Sequence, residues 1–243
     1  MKLGIITDVH SNIQALNAVL NTFEKENIDK IICCGDMIGI GINPEETIQE
    51  LIKRKDILIP VLGNHEQYLL KGLPKYVHDE KIELSNEEAE NHKWNHKKLS
   101  KKSIEFLNKL DLSKTIDIEG KKIHIVHYPI NEKGNYKKHI REPNITQIKE
   151  LFNYVDADIY LYGHTHTYCV NYEDNKWYIN PGSLGCPLNT NIAKAGILEI
   201  NNGTIKFNPI NVEYNVKEII DEIKKIKNPF YKGILKFFYG ANN

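Results

Sequence analysis

The chain has 243 residues, with 32 basic and 32 acidic side chains and a formal net charge of zero. This length predicts one large domain or two small ones. An apolar fraction of 41% and a charged fraction of 26% are typical of globular proteins and exclude wholesale disorder. The balanced charge excludes a protein that holds nucleic acid mainly by a basic field. Only Arg54 and Arg141 are arginines, so a bound phosphate would have to be held mostly by other groups.

The sequence shows no sign of a membrane segment. No apolar run approaches the roughly 18 residues that are needed to span a bilayer. Residues 1–6 lead directly into a polar turn, without the long apolar segment of a signal peptide. The cysteines (Cys33, Cys34, Cys169 and Cys186) are too scattered for a disulfide scaffold, and we expect reduced, buried thiols. We therefore expect a cytoplasmic protein that has no membrane partner.

Short apolar runs alternate with helical patterns in the first third of the chain. The runs predict strands over residues 2–7, 30–34 and 57–62. Helices are predicted over residues 12–26, with Ser11 as the N-cap, and from Asn43 and Pro44 to about residue 55. Strands that alternate with helices predict βαβ units in a mainly parallel sheet.

The rest of the chain is organised differently. Residues 68–111 are charged and helical in pattern, and form either a helical insertion packed over one edge or a cap that shapes a substrate pocket. We predict a single α/β domain over residues 1–243, with residues 212–243 as a C-terminal helix and aromatic tail. Further strands are predicted over residues 115–119, 121–127, 158–162, 168–172, 176–180, 195–200 and 204–209, and helices over 145–154 and 212–227.

Five of the predicted strands end in polar residues that can bind metals. In an open α/β sheet, ligands bind beyond the carboxyl ends of the strands. Carboxylate, amide and imidazole groups suit Mn, Fe, Zn, Ni or Co, and disfavour a structural thiolate zinc site. Each residue alone also fits a turn, a helix cap or a hydrogen-bonded histidine. The strand-end residues are Asp8 and His10, Asp36, Asn64 and His65, His127, and His164 and His166.

These residues stand in five motifs: DVH at 8–10, GD at 35–36, GNHE at 63–66, the strand-end His127, and GHTH at 163–166. Together with NPGS at 180–183, the set resembles the calcineurin-like metallophosphoesterase superfamily, and in particular its small bacterial and archaeal phosphodiesterase-type members. The resemblance implies a four-layer α/β/β/α sandwich that holds two divalent transition-metal ions. Manganese is the expected metal, with iron, nickel, zinc and cobalt as alternatives.

The resemblance also implies a role for each motif residue. One metal would be held by Asp8, His10, Asp36 and His166, and the other by Asp36, Asn64, His127 and His164, with Asp36 bridging the two. His65 would protonate the leaving oxygen. The implied reaction is hydrolysis of small phosphodiesters or phosphomonoesters by in-line attack of a metal-bridging hydroxide.

Several positions depart from the family pattern or leave alternatives open. Tyr128 stands where the family usually has glycine, and either crowds the site or offers its phenol to the substrate. Glu66 either orients His65 or begins a helix favourably. The segment GDMIGIG after the second strand lacks the arginine of protein phosphatases. We expect the turn at Gly182 and Ser183 to approach the pocket.

Two other functions remain as alternatives. One is a protein or nucleotide phosphatase of the same superfamily. The other is a non-catalytic interaction scaffold, which the complete set of candidate ligands disfavours. A small phosphate ester is the expected partner, and nucleic acid is not expected. The aromatic tail over residues 228–240 either packs back onto the sheet edge or forms a homo-oligomer contact.

Overall fold

Two five-stranded sheets pack face to face at the centre of the computed structural model, which describes residues 1–74, 76–77, 80–81 and 84–241. The first sheet has the order β12-β11-β1-β2-β3. Its strands are β1 (Lys2–Ile6), β2 (Lys30–Cys33), β3 (Leu58–Pro60), β11 (Ile192–Asn201) and β12 (Thr204–Glu213). The pairs β1–β2 and β2–β3 are parallel, whereas β11 pairs antiparallel with both β1 and β12.

The second sheet has the order β6-β7-β8-β10-β9 and is also mixed. Its strands are β6 (Ser113–Ile118), β7 (Lys121–Val126), β8 (Ile159–Leu161), β9 (Cys169–Glu173) and β10 (Lys176–Asn180). The strands β7, β8 and β10 run parallel, and hairpins add β6 and β9 at the edges. The prediction of βαβ units in the first third of the chain is confirmed, since β1, β2 and β3 pair in parallel, whereas hairpins add antiparallel strands at the edges of both sheets. A separate two-stranded ribbon consists of β4 (Tyr76–Val77) and β5 (Glu80–Lys81).

Helices cover the outer faces of both sheets. They are α1 (Ile13–Lys25), α2 (Pro44–Ile52), α3 (Asn64–Lys71), α4 (Asn86–Lys97), α5 (Lys101–Leu107), α6 (Ile145–Leu151), α7 (Val216–Ile226) and α8 (Tyr231–Phe238). Side chains of α1, α2 and α7 share one apolar core outside the first sheet, and those of α6 pack outside the second. A third core, which includes Ile5 of β1 and Ile125 of β7, lies between the sheets. This arrangement is the predicted α/β/β/α sandwich.

Two predicted helix starts are wrong by a few residues. The N-cap of α1 is Asn12 and not Ser11, because the Asn12 side chain accepts a hydrogen bond from the amide of Ala15 at 3.1 Å. The helix α7 begins at Val216 and not at 212. Residues 212–213 extend β12, where Val212 pairs with Ala193 and Glu213 with Ile192.

The predicted insertion and tail contribute short helices. Part of the predicted insertion (residues 75, 78–79 and 82–83) lies outside the described residues. The tail forms α8, in which Ile234 and Leu235 are buried in the same core as α1. Across the described ranges, no helix is long and apolar enough to cross a membrane.

Candidate metal centre

The loops that follow β1, β2, β3, β7 and β8 meet at one end of the two sheets. They carry all seven of the predicted metal ligands, which are buried or largely buried. The first sheet supplies ligands after β1, β2 and β3, and the second sheet supplies them after β7 and β8. The residues are Asp8 and His10, Asp36, Asn64, His127, and His164 and His166.

The backbone at most of these residues is unusual. Positive φ angles are uncommon outside glycine and concentrate at functional sites. Here φ is 52° at Asp8, 47° at His10, 51° at Asp36, 71° at His164 and 56° at His166. The chain therefore turns sharply directly after three strands, which directs these side chains back over the sheet ends.

The first group of four predicted ligands converges on one point. The ring nitrogens Nε2 of His10 and His166 lie 2.8 Å apart. The Oδ1 atom of Asp8 lies 3.6 Å from Nε2 of His10 and 3.3 Å from Nε2 of His166. The Oδ2 atom of Asp36 lies 3.9 Å from Nε2 of His10.

The second group meets at the same carboxylate oxygen. Nε2 of His127 lies 3.2 Å from Oδ2 of Asp36 and 3.1 Å from Oδ1 of Asn64. Nδ1 of His164 lies 3.0 Å from Oδ1 of Asn64 and 3.2 Å from Nε2 of His127. Asp36 Oδ2 thus stands between the two groups, which is the geometry of a bridging ligand.

Glycine allows the backbone to approach both carboxylates closely. A Cβ atom at Gly63 would clash with Oδ1 of Asp36, and one at Gly163 would clash with Oδ2 of Asp8 and with Thr7. At this short separation, backbone amides of the loops donate hydrogen bonds to both carboxylates. The amide of His65 donates to Oδ1 of Asp36 at 2.9 Å, and the amide of His164 donates to Oδ2 of Asp8 at 3.0 Å.

Backbone carbonyls set the tautomers of two of the histidines. Nδ1 of His127 donates to the carbonyl of Cys34 at 2.8 Å, and Nδ1 of His10 donates to that of Ile38 at 3.3 Å. When these rings are neutral, Nε2 of each is left as a lone-pair donor that faces the carboxylates. A histidine fixed in this way is oriented for metal binding.

Glu66 has the second of the two roles considered for it from the sequence, because it lies in the first turn of α3 and its carboxylate accepts a hydrogen bond from the amide of the N-cap residue Gly63. Its carboxylate accepts hydrogen bonds from the amides of Gly63 at 2.7 Å, Asp36 at 2.9 Å and Ile38 at 3.0 Å. Burial, together with the charge of Asp36, raises the pKa of Glu66 to about 7. Glu66 therefore connects the loop after β2 to the loop after β3. These hydrogen bonds hold in place both loops, each of which carries a candidate metal ligand.

The structure contradicts one of the two alternatives for Tyr128, a phenol offered to the substrate. Its side chain is fully buried, and its hydroxyl accepts a hydrogen bond from the amide of Ile140 at 2.7 Å. The phenol is therefore not offered to a substrate. Its ring lies 5.3 Å from that of His164 and supports this histidine from behind.

The buried carboxylates dominate the electrostatics of the centre. Burial alone would disfavour a charge on Asp36, but the neighbouring His127 and His65 hold its pKa well below the usual range. In turn, burial would lower the pKa of His127, but the charge of Asp36 raises it to about 9. Burial and the charge of His127 lower the pKa of His164 to about 3. The electrostatic field of the buried carboxylates thus favours a positive charge between the two groups of candidate ligands.

The residues present fit a pair of divalent cations. The nitrogens of His10 and His166 face each other at 2.8 Å, and both lie near the oxygens of Asp8 and Asp36. Lone pairs that converge in this way are satisfied by a cation at their centre. The set of imidazole nitrogens and carboxylate and amide oxygens suits first-row transition metals.

Sequence reasoning missed two contributions to the site. Cys186 lies beside the first ligand group, and its Sγ and the nitrogens of His10 and His166 lie within 4.8 Å of one another. The other is the wall that α8 forms in a cavity of about 260 Å³ beside the candidate ligands. The helix α4 also lines this cavity, in agreement with the alternative that residues 68–111 form a cap. The aromatic residues of the tail were a visible signal, but nothing in their spacing indicates which surface they cover.

The NPGS turn packs against the loop after β1. The hydroxyl of Ser183 donates to the carbonyl of Asp8 at 2.9 Å and accepts from the amide of Cys186 at 3.0 Å. The side chain of Asn180 donates to the carbonyl of Gly163 at 2.9 Å. The turn therefore lies beside the loops that carry the candidate ligands, as expected, but the described lining of the cavity does not include it.

Comparisons with known proteins identify the family. The model of the calcineurin-like phosphoesterase superfamily domain matches residues 1–203. The chain belongs to this superfamily.

Two curated proteins of Methanocaldococcus jannaschii are similar to the chain. An uncharacterized protein is 32% identical over 95% of this chain and 95% of its own length. A phosphodiesterase is 24% identical over 82% of this chain and 93% of its own length. Among solved structures, a metallophosphoesterase from Sphaerobacter thermophilus has the same fold. Its TM-score is 0.75 at 23% identity, and the match covers 98% of this chain and 99% of that one.

Proposed function

We propose that the protein is a phosphoesterase that depends on two divalent transition-metal ions and hydrolyses small phosphodiesters or phosphomonoesters. The observation that carries this proposal is the position of Asp36 Oδ2, which lies 3.9 Å from Nε2 of His10 and 3.2 Å from Nε2 of His127. One carboxylate oxygen is thus shared by two groups of ligands. Two bound cations would polarise the phosphoryl group and lower the pKa of a water molecule.

Bound cations, rather than basic side chains, would attract the phosphate group of a substrate. The described residues that line the cavity include no lysine and no arginine. Two divalent cations exceed the charge of the Asp8 and Asp36 carboxylates, so the loaded site would carry a net positive charge. This arrangement explains how a protein with only two arginines can bind a phosphate ester.

The proposed role of His65 is to protonate the leaving oxygen. Its ring lines the cavity and lies 4.9 Å from the ring of His10. Its Nε2 is 3.8 Å from Oδ2 of Asp36, and its Nδ1 is buried with no hydrogen-bond partner among the described residues. Burial lowers the pKa of His65. A bound phosphate, being an anion, would raise this pKa again and favour a proton on the ring.

The similarity to a phosphodiesterase supports diesters as one substrate class. Manganese is the proposed metal, with iron, nickel, zinc and cobalt as alternatives of similar ligand preference. A protein or nucleotide phosphatase is the alternative function within the superfamily.

A cytoplasmic location and a homo-oligomer contact through the aromatic tail, in which Phe237 is exposed, stay predictions.

The test is a panel of p-nitrophenyl monoesters and diesters assayed with Mn²⁺, Ni²⁺, Mg²⁺ and Zn²⁺. We expect hydrolysis that EDTA abolishes and added metal restores. Asp36→Asn should lower activity by more than about 100-fold and reduce the bound metal, because both ligand groups lose their shared charge. Asp156→Asn is the matched control, since the Asp156 side chain is 86% exposed and remote from the ligands. Full activity and metal content in Asp36→Asn would refute the proposal.

A further inference from the structure

Part of the lining of the cavity lies outside the candidate ligands and has no role in the proposed phosphoryl chemistry. Tyr68 of α3, His92 of α4, and Phe230, Ile234 and Phe238 at α8 contribute to it. These elements are far apart in the chain, and each brings an apolar or aromatic surface to the same space. The question is which part of a substrate this surface would contact.

The helix α8 places one continuous apolar face against the site. Phe230, Ile234 and Phe238 are spaced four residues apart, which puts them on the same side of a helix. The ring of Phe238 lies 6.2 Å from that of His166. The apolar face therefore reaches to the edge of the first ligand group.

Aromatic side chains of α3 and α4 line the cavity next to His65. The ring of His92 lies 5.1 Å from that of His65 and 5.4 Å from that of Tyr68, edge to face in the second case. Nδ1 of His92 is buried without a hydrogen-bond partner among the described residues. Burial lowers the pKa of His92, which favours the neutral ring. A neutral ring can contact an apolar part of a substrate through its flat face.

The charge that lines the cavity outside the candidate ligands disfavours a second anionic group on this part of the substrate. Within the described lining, Glu88 is the one charged side chain besides the candidate ligand Asp36, and it is negative. No described lysine or arginine lines the space to neutralise a second phosphate or a carboxylate. A further negative charge on the substrate would be placed near Glu88 and repelled.

The cavity is large enough to hold one ring of the organic group. An apolar cavity of roughly 150 Å³ holds a benzene molecule. The volume of about 260 Å³ therefore accommodates one ring together with a phosphoryl group.

We propose that this cavity binds the alcohol part of the phosphate ester, and that it selects an uncharged aromatic ring over both a small polar alcohol and a ring with a second anionic group. The inference rests on the proposed function, because it takes the phosphoryl group to lie at the candidate metal ligands. It assigns the specificity of the site to Phe238 and its neighbours on α8, and to Glu88 on α4.

The first experiment measures binding of two non-hydrolysable probes to the manganese-loaded protein by calorimetry. Phenylphosphonate should bind about tenfold more tightly than methylphosphonate, the ratio expected for partial burial of one ring. Phe238→Ala should remove most of this preference. Phe238→Leu, which keeps apolar volume and packing but loses the ring, should reduce it with a normal melting temperature.

Phe237→Ala is the matched control, since Phe237 is the adjacent ring on α8 but is 55% exposed and does not line the cavity. It should keep the full preference for phenylphosphonate. Equal affinity for the two phosphonates in the wild type would overturn the inference alone. Failure of the loaded protein to bind either phosphonate would instead remove the proposed function, and the inference with it.

The second experiment tests the charge selection. 4-Carbamoylphenyl phosphate and 4-carboxyphenyl phosphate differ in charge but little in size. We expect a higher kcat/KM for the carbamoyl ester, and Glu88→Gln should raise kcat/KM for the carboxylate ester severalfold with little effect on the other. Glutamine can replace Glu88 in its capping interaction with Ser85. Equal rates for the two esters in the wild type would contradict the proposed role of Glu88.

Discussion

Strained backbone and close hydrogen bonds occur at the same residues of the candidate metal centre. A non-glycine residue with a left-handed conformation costs about 1 kcal/mol or more. Asp8 and Asp36 both have positive φ, and both carboxylates accept hydrogen bonds from the amides of neighbouring loops. These bonds offset the strain and hold the two carboxylate side chains in position.

His65 gives the most specific prediction at the residue scale. His65→Asn should lower hydrolysis of an alkyl phosphate by about 10²–10⁴-fold, because an alkoxide needs a proton to leave. The loss on p-nitrophenyl phosphate should be much smaller, since p-nitrophenolate leaves without protonation. Metal content, measured by atomic emission, should be unchanged.

The matched control is His96→Asn, at a half-buried histidine of α4 that does not line the cavity. It should leave the ratio of the two rates as in the wild type. Equal losses on both esters in His65→Asn would indicate a role in phosphate binding. Loss of metal would make His65 a ligand.

Glu66 gives a prediction for stability. In Glu66→Gln, the amide NH₂ would face a backbone donor where a carboxylate oxygen now accepts from Asp36 and Gly63. An unsatisfied buried donor costs about 1–3 kcal/mol, which should lower the melting temperature by about 3–10 °C in a protein of this size. Glu105→Gln, at an exposed side chain of α5, is the control and should change it little. Equal melting temperatures for the two variants would contradict the assigned role.

At the scale of elements, the two faces of β7 have different surroundings. His127 follows the strand and lies among the candidate metal ligands, whereas His124 points to the other side. Nδ1 of His124 lies 2.9 Å from the hydroxyl of Thr115, and Nε2 lies 3.2 Å from that of Tyr154. The odd spacing of the two histidines explains this separation, because successive strand residues face opposite sides.

His124 also predicts a pH dependence of stability. Burial lowers its pKa to about 4 from the ordinary 6.5. Between these values the unfolded chain binds the proton more tightly, so stability falls as the pH falls. For this one group the loss between pH 7 and pH 5 is about 2 kcal/mol.

We expect His124→Gln to lose less unfolding free energy than the wild type over this pH range. Urea unfolding of EDTA-treated protein at pH 7 and pH 5 measures the difference without a contribution from metal release. An identical pH dependence in the variant would show that His124 does not titrate in this way.

At the scale of the whole molecule, the candidate metal centre joins the two sheets. Asp8, His10, Asp36 and Asn64 follow strands of the first sheet, and the other ligands follow strands of the second. A bound cation would therefore stabilise the packing of one sheet against the other. Binding to the folded state alone at 100 times Kd contributes about 2.7 kcal/mol per site.

We accordingly expect Mn²⁺ to raise the melting temperature by about 10 °C or more when both sites are filled. EDTA should reverse the increase. Asp36→Asn should show a much smaller increase, measured against its own metal-free melting temperature. An unchanged melting temperature in the wild type at millimolar Mn²⁺ would contradict two tight sites.

The sequence by itself was sufficient for the strands of the two five-stranded sheets and for the candidate ligands, whereas it missed the ribbon of β4 and β5 within residues 68–111 and the helix α8. Apolar runs that end in Asp8, Asp36, Asn64 and His127 are local patterns, and strand periodicity and turn chemistry are properties of neighbouring residues. The sandwich followed from the motif resemblance, and the structure confirms it. The ligand roles themselves stay predictions, although all seven side chains lie together.

Only the tertiary structure decided what surrounds the ligands. Glu66 bonds to amides about 30 residues away in the chain, Tyr128 is engaged by Ile140, and Phe238 reaches His166 from the C-terminal tail. No local pattern encodes these contacts, because they depend on how loops and helices from distant parts of the chain pack together. The antiparallel pairing of β1 with β11 was undetermined for the same reason. The chemistry of the ligands is therefore readable from short motifs, whereas the shape and selectivity of the cavity depend on long-range packing.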